Sequence, residues 1–199
     1  MPILDGREQE RQGILEIANL MVVAARTAPK SGGRDDILTA IVHGPEIGAA
    51  AVDMGEIAVE RSDPAWMKHA KIIKDAAAIV LIGVMGTKSC VTNCGACGCK
   101  SCDEFTKSAK RPGQDFDGPN CIFKTLDLGI AVCSAAKIVS ILNAGNRLYY
   151  RIGAVARRLG YMPEASVIIG IPLSATGKTR ILTGKRGKPI SCRTIGTRN

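Results

Sequence analysis

Histidine is scarce in these 199 residues, with only His43 and His69, and aromatic side chains make up 4% of the chain. Neither histidine belongs to a cysteine or carboxylate pattern that would make a metal site, so surface or capping roles are expected of both. Long apolar runs are missing too. The longest stretch without a charge, Ala165 to Gly177, is 13 residues and contains Pro172, well short of the roughly 20 needed to cross a bilayer. Met1 to Arg11 also lacks the apolar stretch of a secretory signal. The expectation is a soluble, cytoplasmic protein that uses no membrane.

Acidic residues run out at Glu164, whereas Lys178, Arg180, Lys185, Arg186, Lys188, Arg193 and Arg198 all follow it, and the formal net charge is +9. Such a tail is either solvated or meets a phosphate, an acidic partner or nucleic acid. No aromatics interleave it, which leaves stacking on single-stranded nucleic acid without support, and a nucleic-acid partner is not expected. Gly177-Lys178-Thr179 lacks the upstream glycine of a phosphate-binding loop, since Pro172 occupies that position; nucleoside triphosphate binding is excluded on that ground.

Cysteine, by contrast, is plentiful. Six of the eight cysteines fall between Cys90 and Cys121. Cytosolic thiol buffers keep ordinary disulfides reduced, so this density points to metal ligation or thiol chemistry. Cys94, Cys97, Cys102 and Cys121 read as C-x2-C-x4-C-x18-C, four thiolates of the kind that hold the corners of a [4Fe–4S] cubane. Gly95 and Gly98 permit tight turns whose N–H groups can face cluster sulfurs. Cys90 and Cys99 are spare thiols or substitute ligands, since Cys90-x3-Cys94-x2-Cys97 is also an acceptable triplet. Four thiolates in two pairs also describe a structural zinc site, though the second pair is not a C-x2-C knuckle. A c-type haem is poorly served, because Gly98 follows Cys97 where histidine is required.

Around this segment the hydrophobic periodicity predicts a helix over 7–26 that stops near Ala28-Pro29, then a loop at 30–33. A short strand at 37–42, helices at 46–60 and from Pro64 to about Asp75, and a strand within the uncharged run 76–84 come next. Past Cys121 a helix includes Leu126, Ile130, Cys133 and Ile141, with Cys133 expected as a buried core thiol. A further helix carries Leu148, Ile152, Val155 and Leu159, and a strand over 166–171 ends at Pro172. Trp66 is expected in core or interface packing, and Cys192, in the basic tail, is either a reactive or an inert exposed thiol. Helices alternating with strands predict a layered α/β fold. The domain reading is one α/β unit from 1–86 and 122–199, with 87–121 inserted.

Asn93-Cys94-Gly95-Ala96-Cys97-Gly98, with Cys102 and Cys121, resembles the four-cysteine [4Fe–4S] domain of electron-transport-complex B subunits and corrinoid iron–sulfur proteins. The whole chain resembles bacterial and archaeal ferredoxin-domain-containing proteins of unassigned function. That likeness rests on Ala25 to Lys30, the cysteine segment, Asp127 to Ala131, Asn146-Arg147 and Gly170 to Lys178. More distantly, Ala28-Pro29, Leu128-Gly129-Ile130 and Gly170-Ile171-Pro172 are similar to features of the flavin-dependent nitroreductases. That resemblance implies a nitroreductase-like sheet flanked by helices, an FMN cofactor and a homodimer. Lys178 and Arg180 would correspond to basic residues that approach the FMN phosphate. The Arg-Arg-Ser element found ahead of the first helix in nitroreductases has no counterpart here, so a compensating set of Arg26, Lys30, Arg34, Lys178 and Arg180 is expected to bind the phosphate.

The combined expectation is an iron–sulfur redox protein that exchanges electrons with a flavin or a partner protein. A flavin-free electron carrier and a zinc-stabilised interaction module are the alternatives.

Overall fold

The computed structural model describes residues 3–176. Lys178, Arg180, Cys192 and the basic tail lie outside the described residues.

Helix α1 (Gly6–Thr27) starts where the Asp5 carboxylate accepts from the Arg7 amide at 3.1 Å. It buries Ile14, Ala18, Met21 and Ala25, one stripe at helical spacing. Ala28 leaves the helix in extended conformation, as the residue before a proline must. A short 3-10 turn, Ser31–Gly33, leads into β1 (Ile37–His43), α2 (Pro45–Glu60), α3 (Pro64–Ile73) and β2 (Ala78–Val84). Beyond the cysteine-bearing stretch come α5 (Ile122–Ile141), β5 (Gly145–Asn146), α6 (Tyr150–Arg158) and β6 (Val167–Ser174). Within that stretch sit α4 (Cys102–Lys107) and a small hairpin of β3 (Arg111–Pro112) and β4 (Asp117–Gly118).

The main sheet has the order β1-β2-β6-β5, every pairing antiparallel. Its two faces carry separate apolar layers. Val80 and Ile82 face α1 and α5, while Ile79 and Leu81 face α2, α3 and α6. Alternate residues of a strand point to opposite faces, so a strand covered on both sides reads as an unbroken apolar run, which is what 76–84 shows. Trp66 is buried in the second layer. Helix α6 lies so close to β6 that a Cβ on Gly153 would fall inside the carbonyl of Ile168.

Three local expectations are corrected. Helix α5 turns Leu128, Ala131, Val132, Ala135 and Val139 inward, leaving Leu126, Ile130, Ile141 and Cys133 exposed. Large apolar residues are spread over every side of the helix, and the small alanines let it pack tightly on α1, so the alanine face is the one buried. Strand β6 passes through Pro172 and ends at Ser174. Pro172 falls between the Asn146–Leu173 pair and the Tyr149–Gly170 bridge, so its missing N–H interrupts no ladder on that side. His69 is half-buried and packs edge-on to Tyr149, with ring centroids 4.7 Å apart.

Among the described residues, no helix is long and apolar enough to cross a membrane.

Candidate metal centre

The cysteine segment leaves the sheet at the end of β2 and returns to it at Cys121, whose amide donates to the Gly86 carbonyl at 2.7 Å. Between these roots the chain closes on itself through Asn93 and Cys102. The Asn93 side-chain oxygen accepts from the Cys102 amide at 2.8 Å, and the Asn93 amide donates to the Cys102 sulfur at 3.2 Å. Inside that loop the Gly98 amide donates to the Gly95 carbonyl at 2.9 Å. Both glycines have positive φ, 73° and 84°, a conformation that side chains resist and glycine adopts freely. The Ser101 hydroxyl then accepts from the Glu104 amide and starts α4.

The six cysteines divide into two settings. Cys90 and Cys121 are buried with Phe105, and Cys97, Cys99 and Phe123 pack against them. Cys94 is exposed, and Cys102 is only partly covered. The Ser89 hydroxyl and the backbone amides of Asn93, Thr92 and Val91 converge on the Cys102 sulfur and hold its thiol below the usual range. Successive amides aimed at one acceptor form an anion-binding concavity. Cys90 is pushed the other way, first by burial, and its thiol donates to the Ser31 carbonyl at 3.6 Å. Burial followed by a hydrogen bond with Cys97 also raises Cys99.

Among the described residues, no group of three or more His, Cys, Asp or Glu side chains lies close enough together to hold a metal ion. The donor chemistry nevertheless suits an iron–sulfur centre. Soft thiols are concentrated on one segment, and the Asn93 amide donates to the Cys102 sulfur, the kind of N–H contact that ligand sulfurs accept.

Of the residues expected to meet a phosphate, Arg26 bonds Asp35 at 2.5 Å and the Ile37 carbonyl at 2.7 Å. The Lys30 ammonium donates to the carbonyls of Ala25, Arg26 and Ala28 and lies 3.6 Å from Asp35. It thereby caps the C-terminal end of α1, where a cation is favoured. Arg34 is exposed at the end of the same loop.

Sequence reasoning missed a buried charged group at the root of the segment. Lys124 is fully buried and lies 2.7 Å from Asp36, and Asp127 is also buried, accepting from Ser31. The available signal was the placement of Lys124 and Asp127 on the same helical stripe as Leu128, Ala131 and Ala135. Charged residues on an apolar stripe must find partners inside.

Residues 117–180 match the family described as an uncharacterized protein containing a ferredoxin domain. An uncharacterized protein of Archaeoglobus fulgidus is 43% identical over 177 residues, spanning 89% of this chain and 95% of its own. Among solved structures, nitroreductase CinD from Lactococcus lactis, in complex with nicotinic acid, superposes with a TM-score of 0.55 at 14% identity, covering 88% of this chain and 81% of its own. A nitroreductase with bound FMN from Desulfitobacterium hafniense gives 0.52 at 14% identity, covering 83% and 79%. The chain spans only 60% of the length of nitroreductase A from Vibrio parahaemolyticus, with 82% of this chain covered, a TM-score of 0.48 and 12% identity. The fold is therefore mixed α/β and nitroreductase-like, and the extent of identity with the archaeal relative shows that the chain belongs to the family of proteins containing a ferredoxin domain.

Proposed function

We propose that this is a cytoplasmic iron–sulfur redox protein, with one [4Fe–4S] cluster held by Cys94, Cys97, Cys102 and Cys121 and single electrons exchanged with a partner protein or a flavin. Such a cluster, when bound, stores and releases one electron at a time. The observation that carries the reading is the cradle of amides and the Ser89 hydroxyl around the Cys102 sulfur. It pulls the Cys102 thiol below the usual range, whereas burial pushes Cys90 and Cys99 above it. Family membership and the nitroreductase-like fold support a redox role.

One anaerobic preparation tests this. Iron and acid-labile sulfide at about four each per chain are expected. Zinc in their place would favour the structural module, and a colourless protein that refuses reconstitution with iron and sulfide would overturn the proposal.

FMN is proposed on the loop after α1, approached by Arg26, Lys30 and Arg34 and by Lys178 and Arg180. Nitroreductase-like folds that bind FMN support this. A flavin-free carrier is the second reading, favoured because the Lys30 and Arg26 cations already engage Asp35 and backbone carbonyls. Titration with FMN separates the two: saturable binding weakened by Lys178→Ala with Arg180→Ala supports the flavin, and absence of binding supports the carrier. A homodimer belongs to the same proposal. The exposed Leu20 and Val23 of α1 and Leu126 and Ile130 of α5 support it, and sedimentation tests it.

A further inference from the structure

A cavity of about 550 Å³ opens where the first turns of α1 meet the end of α3 and the end of β6. Arg7, Arg11 and Lys74, all exposed, stand around it. Among the described residues, none of these three cations enters an ion pair. Glu10 and Asp75 belong to the same lining, and Ile14 supplies an apolar wall. Ser174, only 3% exposed, lines both this cavity and an adjoining one of about 340 Å³. Its buried Oγ has no hydrogen-bond partner among the described residues.

The fold by itself explains neither feature. Like charges around one hollow repel each other, and a buried hydroxyl without a partner costs free energy that an alanine would not. An anion in the cavity answers both. Guanidinium forks and an ammonium bond its oxygens with charge assistance, and the Ser174 hydroxyl gains an acceptor. A phosphate suits the set better than a carboxylate, because it brings nearly two negative charges and three terminal oxygens to three cations and a hydroxyl. Glu10 and Asp75 repel a phosphate but accept from hydroxyls, so they select a molecule that carries hydroxyls at its other end. The volume lies within the roughly 300–1,000 Å³ of small-molecule sites.

We infer that this cavity is a binding site for a small, hydroxyl-bearing phosphate monoester, with Arg7, Arg11, Lys74 and Ser174 on the phosphate and Glu10 on the hydroxyls. The site is separate from the cysteine segment and from the loop proposed for FMN. Helix α1 has 22 residues, so roughly 30 Å of helix lies between Arg7 and the loop that follows α1.

The experiment titrates the full chain by calorimetry with ribose 5-phosphate and glycerol 3-phosphate, and with inorganic phosphate and glycerol as the separate halves. The melting temperature of each variant is recorded beside it. One saturable site per chain is expected for at least one monoester, with inorganic phosphate weaker and glycerol silent. Arg7→Ala with Arg11→Ala should weaken binding by about tenfold or more, the scale of a lost charged hydrogen bond, and both positions are exposed, so the variant keeps its fold. Ser174→Ala should bind more weakly while melting no lower than wild type. Arg34→Ala, at the loop proposed for FMN, should bind as wild type. No saturable binding of either monoester at millimolar concentration would overturn the inference. So would binding that survives the double arginine change, which would place the phosphate on the basic tail or the FMN loop. Inorganic phosphate that binds as tightly as either monoester would overturn the assignment of a monoester. A Ser174→Ala protein that melts lower and binds as wild type would also count against the site, since the hydroxyl would then serve the fold alone.

Discussion

The sheet and the cysteine segment differ in their means of support. The sheet is clamped between two apolar layers, with Val80 and Ile82 on one side and Ile79 and Leu81 on the other. The segment has one small cluster, Phe105 with Cys90 and Cys121, and is otherwise held by hydrogen bonds between exposed groups such as Asn93 and Cys102. Burial of apolar surface can hold the first without help. A region with so little core is the kind that gains order from a metal. The difference teaches that the scaffold and the proposed redox centre answer to different forces.

The sharpest break in that comparison is Cys97→Ser, which should abolish visible absorbance and nearly all iron while leaving the melting of the sheet unchanged. Cys99→Ser should keep most of its iron, and a loss as deep as that from Cys102→Ser would mean that the two roles are exchanged. Conversely, Gly153→Ala drives a Cβ into the Ile168 carbonyl and should cost about 3 kcal/mol of global stability in urea unfolding, with the cysteines untouched. Phe105→Ala empties the centre of the only apolar cluster in the segment, among the described residues. A loss of about 3 kcal/mol is expected, read as faster proteolysis or hydrogen exchange confined to 90–121. Exchange rising equally in β2 would show the two regions to be one cooperative unit.

The smallest effect belongs to His69. Burial first, then the cations Arg151, Lys68 and Arg147, push its pKa down to about 4, with Asp63 opposing. The folded state keeps the ring neutral where the unfolded chain takes up a proton. Stability is therefore fully present above pH 6.5 and falls as pH drops towards about 4, then levels. Melting temperatures measured across that window should slope less in His69→Gln than in wild type. Equal slopes would show that the burial of His69 among these cations carries no such linkage.

Most helices and strands were legible because each has a plain local cause. The stripe Ile14, Ala18, Met21 and Ala25 has helical period, Ala28-Pro29 stops the helix, and the uncharged 76–84 is a strand covered on both faces. The inward face of α5 was not legible, since a helix apolar on every side has no period to read, and only its neighbour α1 selects the alanine stripe. Pro172 looked like an end for the same reason: whether its missing N–H matters depends on where β5 stops.

The thiolate-rich spacing, with the turn glycines that serve it, was determined by sequence alone, because ligand type and interval are properties of the chain. Tertiary structure decided which thiols differ from which. Cys102 meets converging amides while Cys90 is sealed beside Cys121, and Lys124 is carried inside to Asp36 and Asp127. The strength of a charge or a hydrogen bond is set by the water removed around it, and that exclusion exists only once distant parts of the chain have packed together.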